Sequence, residues 1–456
     1  MASAAEQLLA NLRFDTFRKA TDLHRRIGFT VLAMVVYRIG CFIPIPGINI
    51  SAFNEAFQGQ ANGILGMVNM FSGGAVQRMA VCALGVMPYI SASIIVQLMG
   101  TVYPPWEKLR KEGGEAGRKT LNQYTRYLTV VLALFQAFGI ALGLQAGDGI
   151  VSRPGATFLI STTIILTGGT MLLTWLGEQI TSRGIGNGLS LIIFAGIVAV
   201  LPRGVFQMYS LARTGALPGG AVPAIVALAG VVVAVIVFME RAQRRLLTQY
   251  PRRQSGNRVF GGDASFLPLK VNTSGVMAPI FASSLLLLPA TAMGFLSTAH
   301  LPGWAQWLPT AMAALQHGQP LFAALYGVLI VFFCFFYTSV MFNPEEVAEN
   351  LRKFGGFLPG LRPGKRTAEY LDFVLTRVTV VGAIYITAVC LLPELLIGYF
   401  NVPFYLGGTS ILIVVSVTMD TVTQLQSHLV AHQYEGLIRN AKLRGRRRAA
   451  APVAAE

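Results

Sequence analysis

Two glycine-rich stretches, GGEAGRKT at 113–120 and RGIGNGLS at 183–190, are where this chain could cradle a phosphate. A phosphate loop needs Gly, four residues, then Gly-Lys-Ser/Thr, so that backbone N–H groups and the lysine converge on the anion. In the first stretch Lys119 follows Arg118 instead of glycine, and the pattern fails. The second follows no predicted strand, and a turn opening a helix accounts for its glycines. The histidines at 24, 300, 317, 428 and 432 are terminal or in loops. Cys41, Cys82, Cys334 and Cys390 are scattered through apolar runs without a CxxC pair, which reads as core packing. No two carboxylates share an apolar run; Glu178, Glu240, Glu394 and Asp420 sit near the ends of such runs. No nucleophile, acid–base pair, metal set or cofactor site emerges, and the chain is not expected to be an enzyme.

The elements around these residues explain their sparseness. The chain has 456 residues, 54% hydrophobic and 12% charged, with mean hydropathy +0.58. Soluble domains carry about twice that charge. Apolar windows of 18 residues or more predict a polytopic, all-α membrane protein. Ten spans are expected, near 25–43, 76–99, 121–144, 157–177, 186–202, 219–239, 273–293, 320–342, 374–393 and 404–423. Sheets are not expected, because backbone exposed to lipid must satisfy its own hydrogen bonds.

Lysine and arginine set the orientation. The N-terminal segment, the links after spans two, four, six and eight, and the C-terminal tail carry thirty; the opposite side carries Arg153, Arg203 and Arg213. Both termini are therefore expected in the cytoplasm. Residues 1–24 read as an amphipathic segment without a cleavable signal, 25–210 and 211–425 as two halves of five spans, and 426–456 as a basic tail. The net charge of +16 concentrates on that one face, and suits anionic lipid, RNA or an acidic protein. The links at 241–272 and 343–372 are longer than topology needs, which points to function.

Inside the membrane the chain is aliphatic. Transporters coupled to ions usually bury ionisable groups near the midplane. Here Arg38 is the exception within the first span, expected to snorkel outward. A secondary transporter of a small solute is the alternative to a channel without ion coupling. Between the first two spans, ILGMVNMF at 64–71 is apolar enough for a membrane but less than half as long as the roughly 20 residues a crossing needs. Gly73 and Gly74 follow it as a hinge. The second span carries Pro88, small residues at 91–93 and Gln97, with Val86 and Ile90 four apart on one face. By composition alone these are ordinary packing residues of a kinked helix.

Nine stretches identify a resemblance. FIPIPGI (42–48), NMFSGGA (69–75), MPYISASIIVQL (87–98), KEGGEAGRKTLNQYTRY (111–127), WLGEQITSRGIGNG (175–188), LPLKVNTSGVMAPIFASS (267–284), FFCFFYT (332–338), PGLRPGKRTAEYL (359–371) and VPFYLGGTSILIVV (402–415) resemble the SecY family, in order, over residues 22–440. The family forms the channel subunit of the bacterial protein translocase.

The resemblance implies roles. Residues 64–75, through Ile64, Leu65, Met67, Val68, Asn69, Met70, Phe71, Gly73 and Gly74, match the plug that closes the resting channel. Val86, Ile90, Leu189, Ile193, Ile280 and Ile413 match an aliphatic ring at its waist. Ser91, Gln97 and Asn272 match a lateral gate between the second and seventh spans, with Gln97 and Asn272 facing each other. Arg362, with Arg244, Arg245, Arg252, Arg253 and Arg258, matches the docking surface for the SecA ATPase and the ribosome. The implied partners are SecE, SecG, SecA, the ribosome, preprotein signal sequences and anionic lipids, in the bacterial inner membrane.

Overall fold

A computed structural model describes residues 21–58, 69–111, 113–146, 149–214, 221–250, 253–255, 258–260, 264–296, 319–400 and 408–449. Its helices are α1 (Thr21–Gly40), α2 (Ile50–Gln58), α3 (Met87–Val102), α4 (Pro104–Lys111), α5 (Gly114–Ala146), α6 (Ala156–Arg183), α7 (Gly188–Arg213), α8 (Ala221–Arg241), α9 (Met277–Leu296), α10 (Pro320–Met341), α11 (Pro344–Lys353), α12 (Lys365–Phe400) and α13 (Gly408–Ala449). Among the described residues, seven helices are long and apolar enough to cross a membrane. They are α5, α6, α7, α8, α10, α12 and α13. The other three expected spans fall on α1, α3 and α9. Every 18-residue window of α1 contains Arg25, Arg26 and Arg38, while α3 has only 16 residues and the apolar run counted in α9 is short. The count of ten is thus not reached by length and hydropathy alone.

The second span departs from expectation. Val76 to Val86 is apolar but runs through consecutive turns. Gly85 takes a positive φ of 58°, and Pro88, which has no N–H to donate, occupies the first turn of α3. Proline is tolerated there and not inside a helix, so the helix starts at the residue read as its kink. The turned segment pairs with the chain leaving α1 instead: Ile45 N donates to Met79 O at 2.9 Å and Val81 N to Ile43 O at 2.9 Å. A Cβ at Gly169 of α6 would run into the Val81 carbonyl, so glycine there lets the segment close against the helix.

The expectation of no sheet is corrected in the long link after α8. Strands β1 (Gln243–Gln249) and β4 (Ala264–Lys270) pair antiparallel, as do the short β2 (Arg253–Ser255) and β3 (Arg258–Phe260). The membrane rule does not reach here, because backbone outside the apolar spans has water to bond. Leu246 and Thr248 of β1 point inward and their neighbours outward, the period of two of a half-buried strand. Leu246 and Leu269 pack with Ala348 of α11 and with Leu358, Leu371 and Val374, so the two long links share one small core. Helix α11 is built for a surface. Asn343 Oδ1 accepts from Glu345 N at 3.1 Å, Pro344 opens the helix, and acidic residues lead while basic ones end it. The tail boundary expected at 426 is not a break, since α13 runs on to Ala449.

The main core lies between the spans. It draws on α1, α3, α6 to α10, α12 and α13. A second cluster, with Ile45, Phe57, Val76, Met79 and Leu166, gathers around the segments that follow α1.

Candidate functional site: an aliphatic waist and its cover

Four helices bring the ring residues together. Val86 caps α3 and Ile90 lies one turn on. Leu189 and Ile193 occupy successive turns of α7, where Asn187 Oδ1 accepts from Leu189 N at 3.2 Å and fixes the helix start. Ile280 is in the first turn of α9 and Ile413 in the second turn of α13. Val86, Ile90, Ile193, Ile280 and Ile413 are buried, and Leu189 is half-buried against the same cluster. Leu189 also fills the space left by Gly177, where a Cβ would lie 2.8 Å from its Cδ2. The shared chemistry is an absence: no side chain in the set offers water or an ion a hydrogen bond.

Phe71 belongs to the same cluster. Ile64, Leu65, Met67 and Val68 lie outside the described residues. Asn69, Met70 and Phe71 form one helical turn, and Met70, Phe71 and Ser72 are buried. Gly73 and Gly74 follow with φ of 69° and 82°, and Gly74 N donates back to Asn69 O at 2.8 Å. Between Phe71 and Ser72 on one side and Val86, Ile90, Ile193 and Ile280 on the other lies a cavity of about 10 Å³. That is the lower limit for one water molecule. The apolar segment and the ring therefore meet with almost nothing between them.

Arg38 does not face outward as expected. It is half-buried and donates through Nη1 to Gly73 O at 2.9 Å. Sequence flags the charge but cannot give the rotation of α1 that aims it at this carbonyl.

The gate residues depart from expectation too. Ser91 is buried in α3. Gln97 donates to Ser93 Oγ of its own helix at 2.9 Å and not to Asn272. Asn272 donates to Glu240 Oε1 of α8 at 2.6 Å, and its Oδ1 accepts from Gly275 N at 2.9 Å and Ser274 Oγ at 3.1 Å. Asn272 thus ties the approach to α9 back to α8. Glu240 was missed in sequence because it lies 32 residues away. Helix α9 packs on α3 and α5, and Ser284 Oγ donates to Met87 Sδ at 3.8 Å across the contact.

Arg362 is exposed at the tip of its turn. Gly360 and Gly364 have φ of 83° and 112°, and Arg362 O accepts from Thr367 Oγ1 at 2.9 Å. Arg244 and Arg245 are exposed on β1. Gln249 N donates to Phe357 O at 2.9 Å, so the strand that carries them is bonded to the link that carries Arg362. Arg253 and Arg258 lie on the backbone of β2 and β3; Arg252 lies outside the described residues.

Neither glycine-rich stretch is free to hold an anion. GGEAGRKT opens α5. In RGIGNGLS, Ile185 N donates to Thr30 Oγ1, Gly186 N to Gln424 Oε1 and Gly188 N to Thr181 Oγ1, at 3.2, 2.8 and 2.8 Å. Among the described residues no group of three acidic, histidine or cysteine side chains is placed to hold a metal.

Comparison with known proteins agrees with this architecture. A SecY family model matches residues 80–422. Protein translocase subunit SecY of Rickettsia bellii is 50% identical over 433 residues, covering 94% of this chain and 98% of that one. The Pseudomonas aeruginosa protein of that name is 52% identical over 425 residues, covering 93% and 95%. The Escherichia coli protein is 50% identical over 427 residues, covering 93% and 96%. Among solved structures, one described as a protein conducting channel superposes with a TM-score of 0.64 at 17% identity, over 90% of this chain and 93% of that one. Sec61 in a canine ribosome–channel complex gives 0.63 at 18%, with the same coverage. A waist of aliphatic side chains drawn from four helices, in a chain half identical to these subunits over nearly its whole length, places this protein in the SecY family of protein-conducting channels.

Proposed function

We propose that the ring at Val86, Ile90, Leu189, Ile193, Ile280 and Ile413 is the seal of this channel, and that unfolded preproteins pass through it across the bacterial inner membrane. The observation that carries this is the single dry cluster the six make with Phe71. A narrow apolar constriction dewets and resists ions. It still deforms around an extended polypeptide, because it grips that chain through no fixed polar contact. Residues 64–75 act as the plug over the ring.

The seam between α3 and α9 is the lateral gate, with Ser91, Gln97 and Asn272 along it. A signal sequence of about 20 apolar residues leaves by that seam, because burial in lipid favours it. Both termini lie in the cytoplasm, as the lysines and arginines require. Arg362 and the arginines of the 241–272 link meet SecA or the ribosome there, since the guanidinium fork suits carboxylates and RNA phosphates alike. The chain catalyses nothing itself; the driving energy comes from SecA with ATP, the ribosome and the proton-motive force. SecE and SecG cover helix faces that this chain leaves open, foremost α8, whose most apolar window is only 6% buried. Anionic lipid meets the basic face.

The test is chemical. Cysteines placed singly at the six ring positions are expected to crosslink to a preprotein stalled in transit. Cysteines at the exposed Ile164 and Val231 are not. Crosslinks confined to the outward positions would overturn the assignment of the ring.

A further inference from the structure

We infer that Arg38 is the latch of the plug: its guanidinium holds the Gly73 carbonyl in the closed channel and must release it before the plug can leave. This rests on the reading of residues 64–75 as the plug, and adds the residue that retains it.

Three observations meet at one place. The first is the bond itself, Nη1 to Gly73 O at 2.9 Å. Arg38 lies within the first expected span, where a charge is expensive unless it finds partners. Its guanidinium carbon also lies 5.3 Å from the centre of the Phe42 ring. A hydrogen bond from a charged donor is roughly twice as strong as a neutral one, and more so away from water.

The second observation is how closely the plug backbone is seated. A Cβ built on Gly73 would lie 2.8 Å from Arg38 Nη1 and 3.1 Å from Gly196 Cα. One built on Gly196 would lie 2.7 Å from Phe71 O. Gly196 is three residues beyond the ring residue Ile193 on α7, so the plug rests on the backbone of a helix that lines the waist. Glycine at both positions brings the Gly73 carbonyl within reach of α1. The third observation is that the neighbouring carbonyl is also held from α1's side, by Cys41 Sγ donating to Ser72 O at 3.5 Å. Consecutive carbonyls of the plug turn are thus both gripped from the end of the first span.

Departure of the plug breaks the Arg38 bond and leaves the guanidinium to water or to the passing chain. Arg38 is a positioning residue: it does not line the waist, and it acts by biasing where the plug sits. A charge-assisted bond of this kind shifts the closed-to-open ratio roughly ten- to hundredfold.

The experiment is resting ion conductance of the purified channel complex in planar bilayers. Arg38→Leu is expected to raise the leak about tenfold or more. Arg38→Lys, which keeps the charge but offers a shorter, unforked donor, is expected to fall between. Gly196→Ala, pushing on Phe71 O, is expected to leak with Arg38 intact. Tyr37→Phe is the control. The Tyr37 hydroxyl lies beside the same glycines but has no hydrogen-bond partner, so its loss is expected to change nothing. In a channel lacking residues 64–74, Arg38→Leu is expected to add no further leak. A closed Arg38→Leu channel, or an equal increase with and without the plug, would overturn the latch. If deleting the plug alone leaves conductance unchanged, the plug reading itself fails, an outcome distinct from either. Should Arg38→Leu not insert, Arg38→Lys and Gly196→Ala carry the same test.

Discussion

The two proposed halves of the molecule meet at two joints, and the joints are made differently. On one side the turn between α6 and α7 sits against α13. Gly186 N donates to Gln424 Oε1 at 2.8 Å, and Ile185 packs with Leu23 and Leu429. A Cβ at Gly186 would lie 2.9 Å from Leu191 and 3.4 Å from Thr421. On the other side α3 meets α9. There the one hydrogen bond between the two helices, among the described residues, is Ser284 Oγ to Met87 Sδ at 3.8 Å. A thioether is a weak acceptor. The first joint is bonded through the backbone and closely fitted, while the second rests on side-chain packing. A structure held this way opens at the second joint and bends at the first.

The largest expected effect comes from sealing the weak joint. Met87→Cys combined with Ser284→Cys replaces two side chains in contact. Oxidation is expected to abolish preprotein uptake into vesicles by more than tenfold, with recovery under reductant. Uptake that persists in a fully oxidised sample would show that transport does not need α3 and α9 to part.

A smaller loss is expected from spoiling the tight joint. Gly186 has a φ of 89°, so Gly186→Ala combines a strained backbone with the clash on Leu191, for a cost of about 1–3 kcal/mol. Thermal unfolding in detergent is expected to show it as a lower midpoint. Gln424→Ala leaves the Gly186 N–H unpaired and is expected to cost about 1 kcal/mol by the same measurement. If both variants unfold like the parent, the joint is not held as described.

Much of this was legible in the sequence, and the misses have physical causes. The ten apolar runs lie on or beside the observed helices, because hydropathy reports the solvent directly. The start of the second span was missed because Val76 to Val86 is as apolar as a helix, yet Gly85 and Pro88 shift the helix start to Met87. The β1–β4 hairpin was missed because a rule for lipid was extended to a link that water can reach. Ring positions came from motif resemblance; composition favoured plain packing, and burial in one cluster is common to both readings. Arg38 and the Gln97–Asn272 pair share another cause. A sequence shows which groups can bond, but partner choice depends on helix rotation, and both bonds turned to nearer acceptors.

The smallest expected effect sharpens that last point. Sequence resemblance sets Gln97 opposite Asn272 across the weak joint, whereas each is bonded elsewhere: Gln97 along α3, and Asn272 to Glu240 of α8. Groups that share no partner are close to additive, within about 0.5 kcal/mol, while bonded groups couple by about 0.5–3 kcal/mol. A double-mutant cycle on Gln97→Ala and Asn272→Ala, read by thermal unfolding of the resting complex, is therefore expected to show no coupling beyond that limit. The parallel cycle on Asn272→Ala and Glu240→Ala is expected to exceed it, because Asn272 also bonds Gly275 N and Ser274 Oγ, which hold it in place to meet Glu240. The contrast assigns Asn272 to the half that moves as one body with α9, and leaves the seam free of a bond that every passing signal sequence would have to break. Strong coupling of Gln97 to Asn272 would reverse this, giving the weak joint a polar lock and removing the asymmetry between the two joints.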